Sequence, residues 1–311
     1  MKSIHLLFSN FCVFTFFIAQ QFHSVNCEVP HLQQPVYDSD GNIKFFPRIV
    51  GGTKAHEGDV RGIVSIQTWK NEHICGGTWF RIGNKTQILT AAHCVIDSKG
   101  HLFPKLLLQI MGDDLSISKS PGLHRQMRKV RKIVPHPYYN PENLQNDIAM
   151  IFLTTQFKET RTFAPIQLAT RSVVDNQACN IAGWGYTAEN GVSSIELLMA
   201  NVSVVPREIC NGAFSYNGRV GPYAFCAGSM GGGIDTCQGD SGGGITSQNQ
   251  LVGVVSFGVG CGRRNFPGVY TNAYHYRGWI EKTINASPAI NQSTVLMLAT
   301  VFAAIFARSM F

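Results

Sequence analysis

The chain has 311 residues, 44% of them apolar, with a formal net charge of +7 and a pI near 9.0. That apolar content is ample for a core, and 31 glycines suit a turn-rich all-β chain. No basic helix or aromatic–basic stacking pattern is present, which argues against a nucleic-acid module; the positive charge favours acidic surfaces only as incidental partners. Nine cysteines need an oxidising compartment if they are to pair.

In chain order, Lys2 precedes the apolar runs Leu6-Leu7-Phe8 and Phe11 to Ala19, too short and badly flanked for a membrane span. Residues 1–27 therefore read as a secretory signal. Val25 and Cys27 sit at three and one before a cut ahead of Glu28, and a cut nearer Ala19 would instead keep Cys27 on the mature chain. Residues 28–48 are polar, carry Pro30, Pro35 and Pro47, and show no periodicity, as expected of a short propeptide. From Ile49 on, short β-type runs separated by turns follow one another: Gly62–Trp69, Leu106–Met111, Ile148–Leu153 and Leu251–Phe257. This pattern fits an all-β barrel or sandwich and not βαβ units. Tyr274–Ile284 has helical spacing.

The chemistry concentrates in Asp235-Thr236-Cys237-Gln238-Gly239-Asp240-Ser241-Gly242-Gly243. A serine among glycines has little side-chain crowding, and the glycines permit turns that present N–H groups to a developing oxyanion. A serine hydroxyl is a weak nucleophile without a base held by a third group. Thr90-Ala91-Ala92-His93-Cys94 and Asn146-Asp147-Ile148-Ala149-Met150 supply candidates for both. With Arg48-Ile49-Val50-Gly51-Gly52 upstream, the four motifs in this order resemble the trypsin-like serine proteases, from about Ile49 to Ile284.

The resemblance implies two six-stranded antiparallel barrels with a C-terminal helix over residues 49–285, and an endopeptidase needing no cofactor or metal. Ser241 would be the nucleophile, His93 the general base and then acid, and Asp147 the group that fixes the imidazole. Gly239 and Ser241 would donate the oxyanion-hole N–H groups. Asp235 would anchor a basic side chain at the base of the specificity pocket, left open by Gly258 and Gly268, with Ser256 binding substrate. Cleavage between Arg48 and Ile49 would free an ammonium for Asp240, whose burial demands an anionic partner. Ser65 and His73 match residues that hold this aspartate in some zymogens, and equally fit plain strand positions. The implied disulfides are Cys75–Cys94, Cys210–Cys226 and Cys237–Cys261, each closing a loop of roughly 15–25 residues and adding about 3 kcal/mol. Substrates would be proteins with Arg or Lys before the scissile bond; an activating trypsin-like protease and a serpin or other inhibitor are the implied partners. The competing expectation is a silent homologue acting as a binding or adaptor module.

Some positions depart from the family pattern. Phe257 and Gly244 stand where tryptophan and proline are usual, and Ser247 stands where a partner for Cys179 would. Cys179 is then a buried free thiol, unless it pairs with a retained Cys27. The run Arg125, Arg128, Lys129, Arg131 and Lys132 reads as a solvated face or as an anion-binding exosite. Asp113-Asp114 has no second acidic cluster downstream to complete a calcium site. Asn84, Asn201, Asn285 and Asn291 head glycosylation sequons. In residues 286–311, small residues and a polar spacer precede the apolar run Val295–Phe306. That arrangement matches a signal for lipid (GPI) attachment, with Asn285 as the site; a short membrane helix and an apolar extension of a secreted protein are the alternatives. The product is expected outside the cell, secreted or held at its surface.

Overall fold

The computed structural model describes residues 51–97 and 99–286. The expected signal and propeptide, the Arg48–Ile49 bond and the chain from 287 onward lie outside the described residues.

A short strand, β1 (Thr53–Lys54), is followed by the six strands of a first barrel. These are β2 (Ile63–Thr68), β3 (His73–Ile82), β4 (Lys85–Thr90), β5 (Leu108–Gly112), β6 (Gln126–Pro135) and β7 (Ala149–Leu153). They pair antiparallel in the order β3-β2-β5-β6-β7-β4, and β4 returns to β3, so the sheet closes on itself. Closure leaves no long edge for pairing with another chain. After β8 (Ile166–Leu168) come β9 (Ala178–Gly183), β10 (Leu198–Val205), β11 (Ala224–Gly228), β12 (Gly244–Ser247), β13 (Gln250–Phe257) and β14 (Gly268–Asn272). These last six form a second ring, β12-β9-β10-β11-β14-β13, which β12–β13 pairing closes. Strand β8 runs parallel to both β3 and β13 and ties the barrels together.

The strand periodicity explains the cores. In β10, Leu198, Ala200, Val202 and Val204 are buried while Asn201 and Ser203 face solvent. Val64, Ile66, Phe80, Ile88, Ile110 and Phe152 fill the first barrel; Ile181, Phe225, Ile245, Val252 and Tyr270 fill the second. Each such side chain contributes about 1.5–3 kcal/mol through burial. Helix α1 (Arg207–Cys210) is a single turn that the apolar pattern does not announce. Helix α2 (Arg277–Asn285) begins three residues later than the spacing of Tyr274–Ile284 suggests, because Tyr274 and His275 take a turn on the Asn272 side chain. Its Ile280 and Ile284 bury into the first-barrel core.

The disulfides Cys75–Cys94, Cys210–Cys226 and Cys237–Cys261 all form, and Cys179 is a buried free thiol. Two expectations need correction. The apolar run at Leu106 does not start a strand: Lys105–Leu107 is a 3₁₀ turn that leaves Leu106 and Leu107 in solvent. Arg125 is not part of an exposed basic face. Its Nε donates to Asp114 Oδ2 at 2.8 Å, and its other nitrogens reach the carbonyls of Ser118 and Ser116 at 2.7 and 2.5 Å. Asp114 also accepts from the Ser116 and Gly122 N–H groups, so one guanidinium and one carboxylate fix the whole segment between β5 and β6.

Both members of this pair are about nine-tenths buried, at 10% and 8% side-chain exposure. Removing one partner strands the other charge, which typically costs about 3 kcal/mol or more. Arg125→Ala is therefore expected to lower unfolding free energy by about 3 kcal/mol in urea titration. A loss below about 0.5 kcal/mol, the level of an ordinary surface change, would show that the pair does not anchor the segment.

Candidate active site

The proposed catalytic side chains meet where the two barrels face each other. His93 lies in the 3₁₀ turn Ala92–Cys94 after β4, tethered through Cys94 to Cys75 in β3. Asp147 immediately precedes the Ile148 that leads into β7. Ser241 comes from the second barrel, in the loop between β11 and β12 that Cys237–Cys261 pins.

Asp147 is fully buried. Its Oδ2 pairs with His93 Nδ1 at 2.8 Å and accepts the Ser256 hydroxyl at 2.5 Å; its Oδ1 accepts the His93 backbone N–H at 3.0 Å. Thr271 Oγ1 donates to the Asp147 carbonyl at 2.8 Å. Two hydroxyls of the second barrel thus hold this aspartate of the first, Ser256 by its carboxylate and Thr271 by its backbone carbonyl. Burial alone would pull the His93 imidazole down, but the charge and hydrogen bond of Asp147 outweigh it and leave the pKa raised. An imidazole whose Nδ1 is held by a carboxylate has Nε2 free to accept a proton.

His93, Gln238, Gly239 and Ser241 line one groove of about 560 Å³. No hydrogen bond joins Ser241 to His93 among the described residues; such bonds often tighten only with substrate in place. Gly239 and Gly242 hold the serine loop at φ +97° and +80°, in the left-handed region that a side chain would strain. The loop is braced by Gly76 N–H to Ser241 O at 2.8 Å and Gly242 N–H to Val255 O at 2.9 Å. The N–H groups of Gly239 and Ser241 have no protein partner among the described residues, as donors awaiting an anion require. Cys75 and Cys94 beside His93 are bonded to each other and offer no thiolate to a metal.

Asp235 is 2% exposed. Burial pushes its carboxyl up to about 6, against the opposing pull of the Gly262, Thr236 and Gly268 N–H groups. A Cβ at Gly268 would lie 2.8 Å from Asp235 Oδ1 and 3.0 Å from the Tyr270 hydroxyl, whereas one at Gly258 would meet nothing nearer than 3.6 Å. The Tyr270 hydroxyl, beside the same glycine, is buried without a partner among the described residues.

Asp240 is fully buried and accepts from Gly185 N–H and Cys237 N–H, both at 2.8 Å. It meets no cation among the described residues, and burial pushes its carboxyl up to about 7. Ser65 and His73 do not grip it. The Ser65 hydroxyl lies 2.7 Å from His73 Nδ1, and His73 Nε2 lies 2.9 Å from the Gly239 carbonyl. Their bonding supports the loop that carries the serine and leaves the aspartate to its backbone donors.

The departures have local reasons. A Cβ at Gly244 would run into Thr78 Oγ1 and Leu251, so the space a larger residue would take is filled. Phe257 packs edge-on against Tyr216, ring centroids 5.8 Å apart. Thr271 carried no sequence signal, being 124 residues from the aspartate it supports. The asparagines Asn84, Asn201 and Asn285 are exposed.

Residues 49–280 match the family model described as Trypsin. The chain is 35% identical to "Trypsin eta" of Drosophila erecta over 76% of its own length and 90% of that protein. It is 34% identical to "Trypsin" of Xenopus laevis, covering 77% and 92% of the two chains, and 35% identical to human "Serine protease 1", covering 77% and 91%. With two closed barrels meeting over a buried aspartate, a histidine and a glycine-flanked serine, the chain belongs to the trypsin family of serine endopeptidases.

Proposed function

We propose that the chain is made as a precursor, is cut between Arg48 and Ile49, and then hydrolyses peptide bonds after arginine or lysine outside the cell. The observation that carries this reading is the His93–Asp147 pair at 2.8 Å, with His93 lining the groove that Ser241 shares. Ser241 Oγ attacks the carbonyl carbon while His93 Nε2 takes its proton. The Gly239 and Ser241 N–H groups receive the oxyanion, each worth about 3 kcal/mol in the transition state. His93 then protonates the leaving amine, and water repeats the sequence to release the acyl group.

Substrate cations are the natural partner for Asp235. A guanidinium or ammonium entering the slot would bring a carboxyl that titrates near 6 fully to its charged form. Ser256 and Gly258 would align the substrate backbone along the slot. The ammonium released at Ile49 would do for Asp240 what the substrate cation does for Asp235, and so order the oxyanion loop. An upstream trypsin-like protease supplies the cut, and a serpin-type inhibitor would limit the product. The tail beyond residue 286, by lipid attachment or as a short membrane helix, would keep the enzyme at the cell surface.

After cleavage at Arg48, an arginyl p-nitroanilide should be turned over by wild type and not by Ser241→Ala. Asp235→Ser should retain turnover of small esters but lose arginine preference. Absence of turnover by the cleaved wild type would defeat the enzymatic reading, and a preference for arginine above roughly tenfold in Asp235→Ser, about 1.4 kcal/mol, would remove Asp235 as the pocket anion.

The uncleaved chain gives a second test. A carboxyl at about 7 in the fold, against about 3.9 unfolded, carries a proton the unfolded chain has lost, so its contribution to stability falls as pH rises from about 4 through 7. His73, lowered by burial, acts with the opposite sign, so the two must be separated by a variant. In an uncleavable Arg48→Gln background, urea midpoints should fall relative to those of Asp240→Asn as pH rises from 4.5 to 8. A difference that stays flat over this range would show that Asp240 already has a cationic partner before cleavage.

A further inference from the structure

One side of the catalytic groove is apolar well beyond what the triad needs. From the Cys75–Cys94 disulfide beside His93 and Ser241, its wall continues over Ile74, Trp69, Phe103 and Leu107. Trp69, Phe103 and Leu107 are not core, and the exposed Lys70 and Glu72 line the same groove. Trp69 is 61% and Leu107 46% exposed, and neighbouring Leu106 is 84% exposed. The wall is nonetheless held firmly: Trp69 N–H donates to Leu107 O at 2.9 Å, and Phe103 N–H to Val95 O at 2.9 Å. Exposed apolar groups held in one place by backbone bonds mark an interaction surface more than an accident of folding.

A band of positive charge adjoins this wall. Lys105 Nζ donates to the Arg131 carbonyl at 2.9 Å, joining the Leu106–Leu107 turn to β6. Strand β5 lies between β2 and β6, with Gln109 opposite both Gln67 and Lys129. Neither Lys105–Gly112 nor Gln126–Pro135 contains an aspartate or glutamate. Lys129 and Lys132 are exposed, and among the described residues neither they nor Lys105, Arg128 or Arg131 form an ion pair. Adjacent strands are about 4.8 Å apart, so β6 lies about 10 Å from β2, a distance that an extended chain crosses in about three residues.

We infer that this surface takes the part of the substrate C-terminal to the scissile bond, and selects a segment with one or two apolar residues next to the cut followed within about three positions by acidic ones. The inference rests on the peptidase reading above, and the occupant follows from continuity: Trp69 and Leu107 line the same groove as Ser241 and His93. Asp235, Ser256 and Gly258, assigned above to the acyl half, do not line this groove, which leaves its wall to the amine half, so that apolar contact and charge complementarity would act on the reacting peptide directly. An acidic segment facing cations that form no ion pair among the described residues gains favourable electrostatics.

The test uses the full chain cleaved at Arg48 and pairs of quenched fluorogenic peptides with one identical arginine-ending half. The second halves read Leu-Phe-Gly-Glu-Glu or Leu-Phe-Gly-Lys-Lys, with Gly-Gly-Gly-Glu-Glu as the apolar control. Wild type should show kcat/KM at least tenfold higher for the first than for the second, with the ratio shrinking as salt is raised. In Lys129→Glu/Lys132→Glu the ratio should approach one, and Trp69→Ala/Leu107→Ala should reduce the advantage of the first peptide over the apolar control. Comparing peptides within one enzyme keeps the readout independent of how much active protein each variant yields. Equal rates on all three peptides, with an arginyl p-nitroanilide still hydrolysed, would overturn this inference and leave the peptidase reading intact. Failure on the anilide as well would remove both. Equal rates together with sedimentation onto phosphatidylserine vesicles would assign the surface to a membrane instead.

Discussion

The buried carboxylate of Asp147 is the constraint on which the rest of the site depends. A fully buried anion is tolerated only when its oxygens are satisfied, and here the satisfaction comes from both barrels: His93 from one and Ser256 from the other, with Thr271 holding the backbone carbonyl of the same residue. The same bonds that neutralise the burial cost fix the imidazole and lock the barrels in register. Stability and catalytic geometry are therefore not separable at this position. Changes to Ser256 or Thr271, neither of which need touch the reacting atoms, act on the histidine through the aspartate.

Three aspartates are buried around the serine loop, and they differ in what completes them. Asp147 has its partner in the described fold. Among the described residues Asp240 has only backbone donors and Asp235 has backbone donors and the Thr236 side chain, and burial pushes both upward, to about 7 and about 6. Neither meets a cation among the described residues. In the reading proposed above, a substrate side chain supplies one cation and the new N-terminus supplies the other, which would make activation and substrate binding two instances of the same electrostatic completion.

Much of this was legible from the sequence because the decisive residues sit in local motifs. Ser241 among glycines, His93 beside Cys94 and Asp147 before an apolar run each announce themselves within a few residues, and the β-type runs mark β2, β7 and β13. What was hidden is non-local. Thr271 supports Asp147 across 124 residues, and Arg125 turns inward because Asp114, eleven positions earlier, meets it in the folded loop. Leu106 and Leu107 read as strand because periodicity registers apolarity and not exposure; only the 3₁₀ turn after Pro104 turns them outward. A run of like charges likewise conceals which member is paired internally.

Replacing Asp147 by asparagine tests the account most directly, since the change preserves size while removing the charge that holds the imidazole. In the chain cleaved at Arg48, Asp147→Asn should fold and should lower kcat by about 10⁴, the size this change has in serine protease triads. A folded Asp147→Asn enzyme within about tenfold of wild type would contradict the account, because the buried carboxylate would then be structural and His93 would not depend on it.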